Sequence, residues 1–189
     1  PTVASVSYVG MFAMALLFPY HAVQSRSAEY RGPVASTERL PLTLNGLART
    51  ERFNPDEYEA INWLRANAEG DPTVLEAIGG QYSEYGRISA STGLPTVLGW
   101  AGHQYQWRGS SNPEPAYRDP LVRQHYERPD WGNTPELLDE LGVDLIYVGE
   151  LERRTYGEQG IQKFEERLEP AFATPTVTIY RWQPEESNQ

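Results

Sequence analysis

The stretch "TPELLDELGVDLIYVG", residues 134–149, decides the fold. It reads as a capped helix from Thr134 to Leu141, with Pro135 in the first turn where its missing N–H costs nothing. The following "VDLIYVG", 143–149, is rich in β-branched residues and reads as a strand. It is apolar on both faces over most of its length, which predicts a central place in a sheet.

Working outward, the same helix-to-strand step recurs on both sides. Upstream, "NPDEYEAINWLRANAEG" predicts a helix over 55–68. Asn54 can cap it, Pro55 suits its first turn, and Asp56, Glu57 and Glu59 favour the positive end of its dipole. "PTVLEAIG", 72–79, follows as a buried strand. Downstream, "GIQKFEERLEP" predicts another helix and "TVTIYRW", 176–182, a last strand that can pair antiparallel at an edge. Repeated helix–strand units predict an α/β domain over 55–183: three layers around a mainly parallel, Rossmann-like sheet. Residues 184–189 read as a flexible tail.

The 189 residues suffice for one domain with a real core. The net charge of −10 argues against a nucleic-acid partner, whose binders carry basic patches. The absence of cysteine removes disulfides and thiolate metal sites. With only three histidines, zinc would need Glu76 together with distant His125, so neither metal nor cofactor is expected. Twelve tyrosines, five tryptophans and fifteen prolines suit a loop-rich α/β domain with an aromatic surface better than a helical bundle.

Residues 1–25, "PTVASVSYVGMFAMALLFPYHAVQS", hold no Asp, Glu, Lys or Arg. The apolar run from Val3 to Val23 is close to the roughly 20 residues that cross a bilayer. Tyr20 and His21 fall where an interfacial belt would lie. Without a basic start or a convincing small-residue cleavage site, the segment reads as a transmembrane helix, the last of a longer protein, rather than a signal peptide. Its dilution by Ser5, Ser7 and Pro19 leaves a buried core helix as the alternative. Residues 26–54 read as an extended linker with turns, given Gly32-Pro33, Pro41 and Asn45-Gly46. Arg26, Arg31, Arg39, Arg49 and Arg52 would favour a cytoplasmic side, although long domains cross regardless of charge.

The chemistry concentrates between the first two helix–strand steps. "GRISASTGLPTVLGWAGHQYQWRG", residues 86–109, carries aromatic and cationic side chains with hardly a run long enough for a helix. Open α/β sheets bind ligands beyond the carboxyl ends of their strands. That topology nominates Glu76, Tyr82 and Arg87, and the dense segment adds His103, Trp107 and Arg108. Each has a plainer reading: Trp100 as core, His103 as a hydrogen-bonded structural histidine, Arg87 as the ion-pair partner of Glu76 or Glu84. "GGQYSEYG" lacks the Lys-Ser/Thr of a phosphate loop, and there is no Gly-x-Ser-x-Gly elbow.

Taken together, "EAIGGQYSEYGRISASTGLPTVLGWAGHQYQWRG", "LLDELGVDLIYVGELERRTYG" and "KFEERL…TVTIYRW" resemble the C-terminal part of the YYY-domain membrane proteins over about residues 40–182. These are polytopic proteins similar to the C-type membrane glycosyltransferases that use polyprenyl-phosphate sugars. Gly102-His103-Gln104 stands where the family often has Gly-His-Glu, and the tyrosine triplet and acidic catalytic loop would lie upstream of Pro1. The resemblance implies an extracytoplasmic α/β domain at the cell membrane, packed with the remaining membrane helices of the full-length protein. It further implies help in binding a sugar or polyprenyl-phosphate substrate through Glu76, Tyr82, Arg87, His103, Trp107 and Arg108, this piece not being catalytic alone. The alternative is a non-catalytic scaffold docking subunits of a membrane complex, since tryptophan, tyrosine and arginine dominate protein interfaces. A third reading is a hydrolase using Glu76 with His103.

Overall fold

A computed structural model describes residues 2–29 and 43–183. It divides into two compact units, residues 1–49 and 50–189.

The first unit is dominated by α1 (Thr2–Glu29), which carries Pro19 in its interior. Among the described residues this one helix is long and apolar enough to cross a membrane. Its span Ser5–Ser25 has a mean hydropathy of 1.5 and none of it is buried, so it is not a core helix of this chain. By length and composition it fits a membrane anchor, a test that signal sequences also pass. The extended linker expected over 26–54 is partly helical instead: α1 runs on to Glu29, and α2 (Ala48–Phe53) forms before the domain. Its middle, 30–42, lies outside the described residues, as does the expected tail.

In the second unit, α3 (Pro55–Asn67) starts where the sequence indicates, with the Asn54 side chain accepting from the Glu57 N–H at 3.3 Å. Then come β1 (Val74–Leu75), α4 (Arg87–Thr92), α5 (Ala101–Arg108), α6 (Glu114–Glu127) and α7 (Thr134–Glu140). The chain closes with β2 (Leu145–Val148), α8 (Glu150–Tyr156), α9 (Glu158–Arg167), β3 (Pro170–Ala173) and β4 (Thr178–Arg181). The strands form one sheet in the order β1-β2-β4-β3, with β2 interior and all four of its residues buried.

The sheet is mixed rather than mainly parallel. Among the four strands β1 and β2 alone pair parallel, Val74 adding an isolated parallel bridge to Thr96; β2–β4 and β4–β3 are antiparallel. The cause is "EPAFATP", whose central residues form β3 rather than a plain connection. A four-residue turn, closed by Thr174 N–H to Val177 O at 2.8 Å, folds β4 back on β3, and a hairpin can only be antiparallel. β4 therefore lies inside the sheet and β3 takes the edge, where Pro170 lacks no needed donor.

Side-chain alternation sorts the core. Leu75, Ile146, Val148 and Tyr180 cluster with Val122 and Tyr126 of α6, Leu138 of α7, and Ile161 and Phe164 of α9. The alternate residues Val74, Leu145, Tyr147 and Ile179 are also buried, along with Ala60, Ile61 and Leu64 of α3 and Ile88 of α4. Trp63 of α3 stacks on Phe172 of β3, with ring centroids 5.4 Å apart. Gly160 of α9 lies hard against the Tyr126 carbonyl of α6; a Cβ there would stand 2.7 Å from the Glu127 carbonyl carbon.

Candidate functional site

At the carboxyl ends of β1 and β2, Glu76 is buried and turned toward the start of α4. Its Oε2 accepts from the Ile88 N–H at 2.9 Å and its Oε1 from the Ser89 N–H at 3.0 Å. It thus satisfies orphan amides of a helix bracketed by two glycines, Gly86 and Gly93, both with left-handed φ. Burial pushes the Glu76 carboxyl up to about 7, the two amide bonds pulling back without prevailing.

Arg87 does not bond to Glu76. It lies in a second carboxylate pair: Nη1 and Nη2 reach Glu152 at 3.2 and 3.1 Å, and Nε reaches Glu57 at 2.7 Å. Its guanidinium also sits 5.3 Å from the Tyr147 ring centroid. Burial opposes its charge, but Glu152 and then Glu57 outweigh it and hold its pKa well above the ordinary arginine value. Glu152, fully buried, also accepts the Ala77 N–H and reaches back to the Gly149 N–H, both at 2.9 Å. Beneath it the Tyr126 hydroxyl meets the carbonyls of Leu75 (2.9 Å) and Tyr147 (2.8 Å), bridging β1 and β2. This network locks the two strand ends together. Its carboxylate and guanidinium atoms are committed to one another and offer little to a ligand, while the buried Tyr147 hydroxyl has no partner among the described residues.

Sequence reasoning missed Glu152, Glu57, Tyr126 and Tyr147. Only Glu152 left a signal: an acidic residue three positions after Gly149, where a helix start places a carboxylate that reaches backward.

The other nominated residues lie elsewhere. The stretch 86–109, expected to hold hardly a helix, folds into α4 and α5. Tyr82, Trp100 and His103 form a triad with ring centroids 4.9–5.2 Å apart. Trp100 is pinned by its Nε1–H to the Tyr85 carbonyl at 2.6 Å. Tyr82 holds a positive φ of 54° and stays 69% exposed. Trp107 is 80% exposed, and next to it Arg108 is exposed in the last turn of α5, without a protein partner among the described residues. No hydrogen bond or ion pair among the described residues joins His103, Trp107 or Arg108 to Glu76. The result is a polar core whose charged groups are paired and, apart from it, an open aromatic and cationic surface. No cluster of His, Asp and Glu among the described residues could hold a metal ion.

A cleft opens at the opposite end of the sheet. The Trp182 N–H bonds to the Asp144 carbonyl at 2.8 Å, just before β2 begins, so this end carries the amino termini of the parallel strands. Trp131, Pro135, Glu136, Asp139, Arg167, Leu168, Trp182 and Gln183 line about 670 Å³. Neither tryptophan stood out in the sequence, because they lie 51 residues apart and meet only through the fold.

Comparison with protein-family models, with curated proteins and with solved structures finds no match for this chain.

Proposed function

We propose that this chain is a membrane-attached, non-catalytic binding domain whose exposed Tyr82, Trp107 and Arg108 dock it onto membrane-embedded polypeptide. The observation that carries this is the contrast at the strand ends. Glu76 and Arg87, the groups best suited to hold a ligand by charge, are consumed internally, while Trp107 lies open to solvent. Exposed tryptophan beside a free arginine is the composition of an interface anchor. The unburied apolar span Ser5–Ser25 supports membrane attachment. The proposed partners are further membrane helices of a longer protein or subunits of its complex, with the domain on the extracytoplasmic side. Helices packed about both faces of the mixed sheet support a three-layer reading of the domain.

The test is a photo-crosslinking amino acid at position 107 in cells. Crosslinks to membrane-embedded polypeptide that vanish on Tyr82→Ala and Arg108→Ala are expected. Crosslinks to none would refute the docking role.

A second reading follows the family resemblance: the same surface helps a glycosyltransferase-like protein hold a polyprenyl-phosphate sugar. The Tyr82–Trp100–His103 triad favours it, since ring faces stack on sugars, and Arg108 has the planar fork that phosphate accepts. Here Arg108→Lys in the full-length protein keeps the charge, loses the fork and weakens substrate affinity. Unchanged transfer from polyprenyl-phosphate donors in Arg108→Lys and Arg108→Ala would remove this reading.

A further inference from the structure

We propose that the cleft between α7, the end of α9 and the end of β4 is a second binding site, for a neutral saccharide. Its volume of about 670 Å³ falls within the range of small-molecule sites. None of its lining residues belongs to the surface that docking uses, so it stands independently of that role.

Trp131 and Trp182 give the cleft its aromatic side, with ring centroids 6.3 Å apart and planes inclined at 59°. Trp182 is buried in the core, so half-buried Trp131 is the ring that can offer a face to the C–H side of a pyranose, because apolar C–H groups pack on ring faces. The lining also holds two carboxylates, Glu136 and Asp139, a side-chain amide, Gln183, and a guanidinium, Arg167. Sugar hydroxyls donate and accept at once, so they need both acceptors and donors in reach, as this lining supplies.

Asp139 is already oriented. Its Oδ1 accepts the Trp182 Nε1–H at 2.6 Å, which leaves Oδ2 without a bond among the described residues. A carboxylate held by the buried Trp182 ring loses little freedom when a ligand arrives, the condition under which a polar contact adds affinity. Arg167 likewise has no protein partner among the described residues, and it stands where the helix dipole of α9 favours a cation.

The charge balance chooses between ligand classes. Two carboxylates against one guanidinium repel phosphates and other anions. Arg167 in turn opposes a quaternary ammonium, which tryptophans and carboxylates alone would welcome. A neutral polyhydroxylated ring satisfies every group.

The experiment uses the full chain in phosphatidylethanolamine–phosphatidylglycerol nanodiscs. Glucose, galactose, mannose, N-acetylglucosamine and maltose are titrated while tryptophan emission and calorimetric heat are followed, with inorganic phosphate and choline as competitors of other classes. The expected result is saturable binding by at least one sugar at millimolar concentration or below. Trp131→Ala should weaken it by about tenfold or more, as loss of an aromatic platform does. Trp131 also packs on the core, so two exposed substitutions, Glu136→Gln and Arg167→Ala, serve as variants that leave the fold alone; each should weaken binding several-fold. Glu59→Gln, exposed on α3 and outside the cleft lining, should leave it unchanged. No saturation by any of the five sugars, tighter binding of phosphate or choline, or affinity that survives all three cleft substitutions would overturn the proposal.

Discussion

Replacing Glu76 with Gln tests the buried network through its pH dependence. Glu76 rises from 4.5 in the unfolded chain to about 7 in the fold, so the folded protein holds its proton more tightly. Its contribution to stability is therefore fully present below pH 4.5 and is lost as pH climbs through 7. At about 1.36 kcal/mol for each pH unit, the whole loss is about 3 kcal/mol, of which about 2 falls between pH 5.5 and pH 8. Wild type alone would hide it. His125, buried, is pushed down from 6.5 to about 4 by burial and then by nearby Lys163, a bond with the Leu137 backbone pulling back without prevailing. Its contribution has the opposite sign: present above pH 6.5 and lost as pH falls toward 4. Over the same window it gains about 1 kcal/mol with rising pH, cancelling much of the Glu76 loss. The informative quantity is thus the difference between wild type and Glu76→Gln. It should change by about 2 kcal/mol between pH 5.5 and pH 8, wild type being relatively better at the acid end. Guanidinium titration followed by tryptophan emission measures it, and all five tryptophans lie between 63 and 182, so the signal reports the second unit alone. A pH-independent difference would refute the reasoning, showing that the Ile88 and Ser89 amides hold the carboxylate ionised despite its burial.

Other outcomes follow from the packing. Arg87→Met strands the fully buried Glu152 carboxylate and should lower stability by about 3–5 kcal/mol in the same titration. Arg87→Lys should recover only part of it, since one ammonium cannot replace the fork that reaches Glu152 and Glu57 together. Gly160→Ala drives a methyl into the Tyr126 carbonyl and should cost about 1–3 kcal/mol, with α6 and α9 forced apart; an unchanged melting temperature would mean the helices yield freely. A chain beginning near Arg39 should stay soluble in plain buffer, and its aggregation would show that the apolar helix belongs to the core.

Much of the architecture was legible along the chain. The charge-free N-terminus, the capped helix at Asn54–Pro55 and the doubly apolar "VDLIYV" are local statements, carried by composition, capping chemistry and periodicity, and the folded chain realises each as a helix or a strand. A strand apolar on both faces has no stable place except inside a sheet, and β2 is there. Which way its neighbours run is not local. The seven residues "EPAFATP" carry no strand pattern of their own, and only pairing with β4 made four of them β3 and the sheet a mixed one. The site was harder still. The sequence could nominate Glu76 and Arg87 as substrate-binding because it showed their charges, but not that backbone amides and Glu152 would consume them. Nor could it bring Trp131 to Trp182, whose 51-residue separation closes only when α7 and β4 pack. Periodicity records what each segment buries. What each buried or exposed group finally faces depends on contacts between distant segments, and those exist only once the chain has folded.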